Sequence, residues 1–337
     1  MFKWLRRERS KPDTRERTVA IPPTPAAAAQ SSGILEPSGS PLPDLAVDPG
    51  FYKLLLGVHS LVEHDLNALE SRVSRELDQI VSSGVSQSSL VPRVPAVIPR
   101  LMQSLRSDTA TGAEIAEQVG RDATLVADVL RLANSPYYRT GREINSLEQA
   151  VFILGRNGLR QLVANAAMKP LLNIQTGHFS RQGGPIIWAQ AEKCAIAGRC
   201  LAKAEGLDQF EAYLAGLVQN IGLIVAIQQL DAAFDATEAA RSYRFRDIFA
   251  AKSRILSVRI AAEWELPDRV LTAIKEQSPA GQPDDMSPLG RVLFAGDKLS
   301  KLRVLVDEGR IEDAVERLQC GAQGQFRDRC VRCYAEL

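Results

Sequence analysis

Histidine and cysteine are scarce in this chain, and long apolar runs are missing. The 337 residues include three histidines and five cysteines. Three histidines supply few imidazole ligands for a metal centre built from imidazole and carboxylate groups. No stretch approaches the roughly 20 apolar residues of a membrane-spanning helix, and no apolar run of about 7 to 15 residues follows the basic N-terminus, as a secretory signal would require. We therefore expect a soluble protein.

The charges nearly cancel, so the sequence favours no strongly charged partner. Lys and Arg total 41 residues, and Asp and Glu total 40. This balance gives no reason to expect nucleic acid as a partner. The odd number of cysteines in so long a chain indicates reduced thiols and hence a cytoplasmic protein. The cysteines are Cys194, Cys200, Cys320, Cys330 and Cys333.

Residues 1–50 have the composition of a disordered tail. Proline, alanine, serine and glycine recur from Pro22 to Pro43. A segment of this kind cannot bury enough apolar surface to offset its chain entropy. Residues 1–7 mix Phe2 and Trp4 with lysine and arginine, so they could touch an anionic membrane surface, although so short a segment binds weakly. A solvated basic end is the simpler interpretation.

An apolar stripe runs through residues 51–81. Its members recur at steps of three and four residues, which predicts one long amphipathic helix. They are Val58, Val62, Leu66, Leu69, Val73, Leu77 and Ile80. The stripe must pack against the main domain or against a second copy, so residues 51–81 are a candidate homodimer interface. His59 and His64 do not share a face of this helix and are not predicted to be ligands.

Residues 91–305 have the pattern of a helical domain. A helix and linker over 51–90 precede it, and a helical extension over 306–337 follows. Side-chain caps begin several of its helices. The predicted caps are Thr111, Asp122, Ser146 and Asp208. No segment alternates with period two for long enough to predict a strand, so the sequence predicts an all-α protein.

Tyr213–Ile227 is a nearly apolar helix with one polar doublet, Gln219-Asn220. Two interpretations of the doublet stay open. The two amides could hydrogen-bond a small ligand, since each offers donors and acceptors. Alternatively they satisfy one another and Gln190, because buried amides must find partners. We favour the second interpretation.

Taken together, these segments resemble the HDOD domain, a non-catalytic relative of the HD-type metal-dependent phosphohydrolases. The resemblance covers roughly Val94 to Leu302. The matching segments are Asp122 to Leu125, Leu130 to Ser135, Ile144 to Ala150, Leu154-Gly155, Leu159-Arg160, Trp188, Ala215 to Leu217, Ile221-Gly222, Trp264 to Pro267 and Ala295 to Asp297. The resemblance implies an all-helical domain of bacterial signalling proteins, which acts through protein contacts rather than turnover.

The resemblance also locates the positions that hold metal in a catalytic relative. An HD pattern supplies an upstream His, a His-Asp doublet and a downstream Asp. The corresponding positions here are Gln190, Gln219-Asn220 and Asp297. A neutral amide brings no charge to offset dehydration of the ion and no imidazole to favour a transition metal. We therefore interpret them as vestigial metal-site positions and expect no catalytic residue, no metal and no cofactor.

Two remaining features have simple explanations. His178 is the only histidine of the domain, and we place it in a loop at Gly177–Pro185, where a histidine is usually a surface residue. Cys330 and Cys333 have the spacing of half a zinc site, with Cys320 upstream. A structural zinc takes four ligands, so we attribute this spacing to chance.

The end of one predicted helix carries candidate partner-binding residues. They are Asn134, Ser135, Tyr137, Tyr138 and Arg139. Tyr and Arg are enriched at interface hot spots, but the rings could equally complete the core. Asn134 and Ser135 also suit a structural role in the turn set by Pro136.

The sequence therefore predicts a non-catalytic, cytoplasmic bacterial signalling or regulatory protein, a pseudo-enzyme whose HDOD-like domain binds other signalling proteins. One alternative is an HD-type phosphohydrolase or phosphodiesterase with a degraded metal site. Another is a nucleotide-sensing domain that uses the vestigial pocket. A sensor of this kind requires Arg or Lys side chains that converge on the pocket.

Overall fold

The computed structural model describes residues 47–83, 92–93, 97–99, 111–136, 138, 141, 143–174, 176–234, 237–277, 283–313, 315 and 325–337. The helices in these ranges are α1 (Val47–Leu56), α2 (Ala68–Ser83), α3 (Gly112–Val119), α4 (Ala123–Ala133), α5 (Leu147–Leu172), α6 (His178–Glu205), α7 (Gln209–Val218), α8 (Ile221–Ala232), α9 (Tyr243–Glu263), α10 (Asp268–Glu276), α11 (Pro288–Asp307) and α12 (Gln325–Tyr334). One isolated bridge pairs Val62 with Ser242. The prediction of an all-α protein is confirmed.

Several predictions fall on residues outside the described ranges. The tail up to residue 46, the membrane contact of residues 1–7, Tyr137, Arg139 and Cys320 therefore stay predictions. The predicted end of the tail at residue 50 is wrong, because α1 begins at Val47. Val47 and Phe51 are buried, and burial of these side chains anchors the start of the helix.

The predicted N-caps are confirmed where the structure describes them. Thr111 Oγ1 accepts from Glu114 N, and the Glu114 carboxylate accepts from Thr111 N, which completes a capping box. Asp122 and Asp208 each accept two backbone N–H groups at the starts of α4 and α7. These side chains satisfy donors that a helix start leaves unpaired.

The helix α6 contacts α1, α5, α7, α8, α11 and α12. Small residues allow this close packing. An added Cβ at Gly198 would lie 2.9 Å from the carbonyl oxygen of Ala212, and one at Gly216 would lie 2.6 Å from the Ala195 nitrogen. Helices α6 and α7 can therefore approach with their backbones nearly in contact, which fixes the side chains between them.

The predicted loop at Gly177–Pro185 is wrong, because α6 begins within it. Asp231 caps this start: its carboxylate accepts from Ser180 N at 3.1 Å and from the Ser180 hydroxyl. An added Cβ at Gly184 would lie 2.0 Å from the Ile174 carbonyl oxygen. The glycines that suggested a loop therefore serve helix packing.

The single helix predicted over residues 51–81 is also wrong. Helix α1 ends at Leu56, and Gly57 follows with a φ of 69°, a left-handed conformation that glycine adopts without strain. The chain then runs through an extended segment, in which Val62 pairs beside Ser242, before α2 begins. A three- and four-residue periodicity does not reveal a break of this kind, because Val58 and Val62 happen to continue it.

The stripe of α2 is covered within the same chain. Leu69, Val73, Leu77 and Ile80 are buried, and α2 contacts α8 and α9. Both α1 and α2 belong to the compact unit that spans residues 43–337. Homodimerisation through residues 51–81 stays a prediction, but the apolar face that suggested it already has a partner.

Glu70 ties the start of α2 to the start of α9. Its fully buried carboxylate accepts from Arg241 N at 2.9 Å, Ser242 N at 2.8 Å and Ser242 Oγ at 2.9 Å. It also accepts from Asn67 N at 3.1 Å, and Asn67 Oδ1 accepts from Glu70 N at 2.8 Å. One side chain therefore caps two helices at once.

The last helix is joined to α6 by a disulfide. Cys200 and Cys333 are bonded, with their Cα atoms 5.7 Å apart, so the prediction that the thiols are reduced is wrong for this pair. Ion pairs between Arg329 and Glu205 and between Arg199 and Glu336 hold α12 beside α6. Cys194 and Cys330 are both buried.

A count of cysteines carries no information about which of them the fold brings together. Cys333 is bonded to Cys200, so Cys330 and Cys333 do not act as a zinc-binding pair here. This agrees with the attribution of their spacing to chance.

Residues Gln209–Ala232, which form α7 and α8, are long and apolar enough to cross a membrane by composition, but 94% of the apolar window is buried inside the protein. This burial is typical of a core segment. The helix predicted over Tyr213–Ile227 breaks in two at Gln219-Asn220. At the break, Gly222 N donates to Ser257 Oγ at 2.9 Å.

We predict that Glu70→Ala lowers the free energy of unfolding by about 2 to 4 kcal/mol, because it leaves the N–H groups of Arg241 and Ser242, just before α9, without their carboxylate partner. Chemical denaturation measures this change. Glu76→Ala, at an exposed position of the same helix, is the matched control and should change stability by less than about 0.5 kcal/mol. Similar losses for the two variants would contradict the capping role of Glu70.

Candidate functional site

The four vestigial metal-site positions come together in the core. Gln190 lies on α6, Gln219 and Asn220 form the turn between α7 and α8, and Asp297 lies on α11. Gln190 and Gln219 are fully buried, and Asn220 and Asp297 are 5% and 6% exposed. The close approach of α6 and α7 and the break before α8 bring these side chains to one place.

Hydrogen bonds join all four side chains. Asp297 Oδ1 accepts from Gln190 Nε2 at 3.0 Å and from Gln219 Nε2 at 3.1 Å. Gln190 Oε1 accepts from Asn220 Nδ2 at 2.7 Å. The amides therefore satisfy one another and the carboxylate, as buried polar groups must, and this is the interpretation that the sequence favoured.

A lysine takes the remaining oxygen of the carboxylate. Lys301 Nζ lies 2.6 Å from Asp297 Oδ2 and 2.7 Å from Asp48 Oδ1. The Lys301 side chain is only 5% exposed. Burial by itself would lower the pKa of Lys301, but the charges of Asp297 and Asp48 outweigh it and raise that pKa above its usual range. The ammonium is therefore a permanent positive charge at the centre of the site.

These residues do not fit a catalytic divalent metal. Three of the four positions offer neutral amides, and both oxygens of Asp297 are already engaged by Gln190, Gln219 and Lys301. A metal would need further anionic or imidazole ligands and would have to displace the ammonium. The buried positive charge that balances Asp297 is thus supplied by the protein itself.

Helix α1 brings a second carboxylate to the cluster. Asp48 is paired with both Lys298 and Lys301. Its partial burial would raise the pKa of Asp48, but the nearby Lys301 and Lys298 ammonium groups hold that pKa well below its usual range. Phe51 and Tyr52 follow Asp48 at helical spacing, and the Lys301 ammonium lies 5.5 Å from the centre of the Phe51 ring.

The rest of the cluster comes from α6, α9 and α11. Arg254 on α9 donates to Gln219 Oε1 at 3.3 Å, and Ser300 Oγ accepts from Gln190 Nε2 at 3.0 Å. Cys194 Sγ accepts from Gln219 Nε2 at 2.9 Å. Burial raises the pKa of Cys194, and the charge of Asp297 raises it further. Cys194 is therefore a thiol rather than a nucleophilic thiolate.

Sequence reasoning grouped Gln190, Gln219, Asn220 and Asp297 but missed the charged residues around them. Lys301 follows Asp297 by four residues on one helix, and this spacing could have suggested an ion pair. Asp48 carried no usable signal, because it lies inside the predicted tail. The partners of Lys298 and Arg254 depend on tertiary packing.

His178 cannot complete a metal site. It is the first residue of α6, twelve positions before Gln190, which corresponds to about 18 Å along a helix axis. Its exposed ring stacks on Phe234 with centroids 4.3 Å apart. The prediction that His178 is a surface residue is confirmed.

The candidate partner-binding residues lie at the end of α4. Asn134 clamps the following turn: its Nδ2 donates to Ile144 O at 2.7 Å, and its Oδ1 accepts from Ile144 N at 2.8 Å. This is the structural role that the sequence left open. Ser135 and Tyr138 are half-buried, and the Tyr138 hydroxyl lies 3.4 Å from that of Tyr213.

The family model of the HDOD domain matches residues 91–279. This is more than half of the chain, and the protein belongs to the HDOD family. The match includes Gln190, Gln219 and Asn220. Asp297 follows the matched range, and α1 with Asp48 precedes it.

Three known proteins are similar to this chain at low identity. An uncharacterized protein of Treponema pallidum (strain Nichols) is 21% identical over 266 residues, which cover 75% of this chain and 51% of that protein. The chain thus spans about half the length of this curated relative. A crystal structure from Shewanella amazonensis SB2B, provisionally described as a phosphohydrolase, has a TM-score of 0.56 and 22% identity over 76% of this chain and 92% of that one. A structure from Marinobacter aquaeolei VT8, provisionally described as a signal transduction protein, has a TM-score of 0.52 and 20% identity over 86% and 64% of the two chains.

We predict that Lys301→Met lowers the free energy of unfolding by about 3 to 5 kcal/mol, because a buried carboxylate loses its partner. Adding Asp297→Asn to Lys301→Met should recover part of this loss, since a carboxamide oxygen still accepts from Gln190 and Gln219 without a charge. A double-mutant cycle by chemical denaturation measures the coupling. If the stability losses of the two single variants simply add in the double variant, the ion pair between Lys301 and Asp297 is contradicted.

Proposed function

We propose that this protein is a non-catalytic regulatory member of the HDOD family that acts by binding other proteins. The observation that supports this most is the buried ammonium of Lys301 on Asp297, at 2.6 Å. The carboxylate of the vestigial site is neutralised by a side chain of the same helix.

The donor groups of this site are unsuited to metal-dependent hydrolysis. Metal-dependent hydrolysis requires an ion that lowers the pKa of a bound water and keeps an open coordination position. At this site the ammonium and two amides already engage the carboxylate oxygens. The alternative function, a phosphohydrolase, is favoured by the provisional description of the Shewanella protein. The similarity to the Shewanella protein is a similarity of fold. It does not alter which donor groups this chain has at the site.

A regulatory role agrees with the family and with the Marinobacter protein, which is provisionally described as a signal transduction protein. A protein-binding role needs an exposed contact surface, and the Phe152 side chain of α5 provides a starting point because it is 90% exposed. Exposed aromatic side chains are favoured at protein interfaces. We place one partner contact at Phe152.

We predict that the purified full-length protein retains no Mn²⁺ after dialysis and does not hydrolyse bis(p-nitrophenyl) phosphate, because its donors do not fit the ion. Elemental analysis measures the metal. Equimolar Mn²⁺ that is lost in Asp297→Ala, together with turnover, would overturn the non-catalytic proposal.

A restored variant is the positive control for that measurement. It combines Gln190→His, Gln219→His, Asn220→Asp and Lys301→Ala, which supplies imidazole and carboxylate ligands and removes the competing ammonium. It should retain Mn²⁺, and a further Asp297→Ala should abolish this binding. The comparison shows whether the donors or the surrounding fold prevent metal binding.

We predict that a photoreactive phenylalanine analogue at position 152 crosslinks to a discrete partner in the cells that make the protein. The same analogue at Glu263, another exposed position, is the control. Excess wild-type protein should compete the crosslink away, whereas excess Phe152→Ala protein should not. The stability of Phe152→Ala should differ from that of the wild type by less than about 0.5 kcal/mol, so the variant remains folded. Equal competition by both proteins would remove Phe152 from the proposed interface.

A further inference from the structure

The cluster under α1 contains more cationic side chains than carboxylates. Lys298, Lys301 and Arg254 face Asp48 and Asp297. Among the residues that the structure describes, Arg254 has no carboxylate within ion-pair distance, and its nearest polar contact in the cluster is Gln219 Oε1 at 3.3 Å. The vestigial pocket therefore has the convergent Lys and Arg side chains that an anion-binding site requires.

The two carboxylates of the cluster are held in different ways. Asp297 lies on α11 with both lysines and cannot leave them. Asp48 reaches the cluster from α1, 250 residues away in sequence from Lys298, and bridges the Lys298 and Lys301 ammonium groups. An oxyanion that bridges two ammonium groups is also how proteins hold a phosphate group. The Asp48 carboxylate has the charge and hydrogen-bonding character of such a ligand.

Helix α1 covers the cluster, and six of its residues are buried. It has ten residues, and an isolated helix of that length is marginal in water. At its C-terminal end Gly57 adopts a φ of 69°, and a non-helical stretch leads on to α2. Asp48, Phe51 and Tyr52 are at the spacing of one helical face, and Phe51 packs on the Lys301 ammonium. The contacts of this face hold α1 over the cluster.

We propose that Lys298, Lys301 and Arg254 form a cryptic site for a phosphate-bearing small molecule, and that Asp48 occupies this site as an internal substitute for the phosphate. The ligand binds when α1 moves away, and its phosphate replaces the Asp48 carboxylate on the two lysines. Ligand binding and release of α1 are then the same event. This proposal does not depend on the partner contact at Phe152 or on the metal experiment.

Inorganic pyrophosphate is a suitable probe, titrated into the full-length protein by calorimetry at low ionic strength. Asp48→Asn keeps the size of the side chain and removes the competing charge, so it should bind pyrophosphate about tenfold or more tightly than the wild type. Adding Lys298→Gln to Asp48→Asn should abolish that gain. Asp65→Asn removes the same charge at a side chain that is 98% exposed, and it should bind like the wild type.

Amide hydrogen exchange then tests the movement of α1. Pyrophosphate should increase exchange in residues 47–56 of Asp48→Asn while leaving α6 and α7 protected. Millimolar pyrophosphate should have the same effect on the wild type, so the test does not depend on a variant that folds. If Asp48 serves only to stabilise the fold, Asp48→Asn should show faster exchange in residues 47–56 without pyrophosphate and no further increase when pyrophosphate is added.

Three results would overturn the proposal. The first is equal affinity of the wild type and Asp48→Asn for pyrophosphate, including no binding by either. The second is an affinity gain that survives Lys298→Gln, which would place the bound anion elsewhere. The third is binding with unchanged exchange in residues 47–56, which would exclude α1 as the cover.

Discussion

A buried positive charge must be matched by buried negative charge, and this requirement organises the centre of the molecule. Lys301 is placed between Asp297 of its own helix and Asp48 of α1. Removing any of the three would leave a charge in a medium that solvates it poorly. Because Asp48 comes from α1, the same requirement draws that helix onto the domain. The charge balance of the core and the position of α1 therefore depend on the same ion pairs.

The amides around the ion pair complete this arrangement. Gln190 and Gln219 donate to Asp297, and Asn220 donates to Gln190. The carboxylate is thus fixed both by α6 and by the turn between α7 and α8. A network in which each polar group has a partner is rigid and specifies one arrangement of the core. The residues that would hold metal in an HD enzyme here support the packing of α6, α7, α8 and α11.

The sequence predicted those parts of the fold that depend on local chemistry. The caps at Thr111, Asp122 and Asp208 depend on residues within one turn, and the meeting of Gln190, Gln219, Asn220 and Asp297 followed from a family pattern. The break at Gly57 was missed because Val58 and Val62 continue the periodicity across it. The helical start of α6 depends on contacts between segments distant in sequence. So do the Cys200–Cys333 disulfide and the placement of Asp48, and periodicity and composition do not encode such contacts.

The network also constrains how the protein can change over generations. Metal binding at this site would need new ligands at Gln190, Gln219 and Asn220 together with loss of Lys301. Each step taken alone would break hydrogen bonds or leave a buried charge unpaired, at a cost of several kcal/mol. Natural selection acts on single steps, and a protein of ordinary marginal stability tolerates few such losses. The hydrogen bonds that stabilise the present core thus oppose the gain of a metal site at these positions.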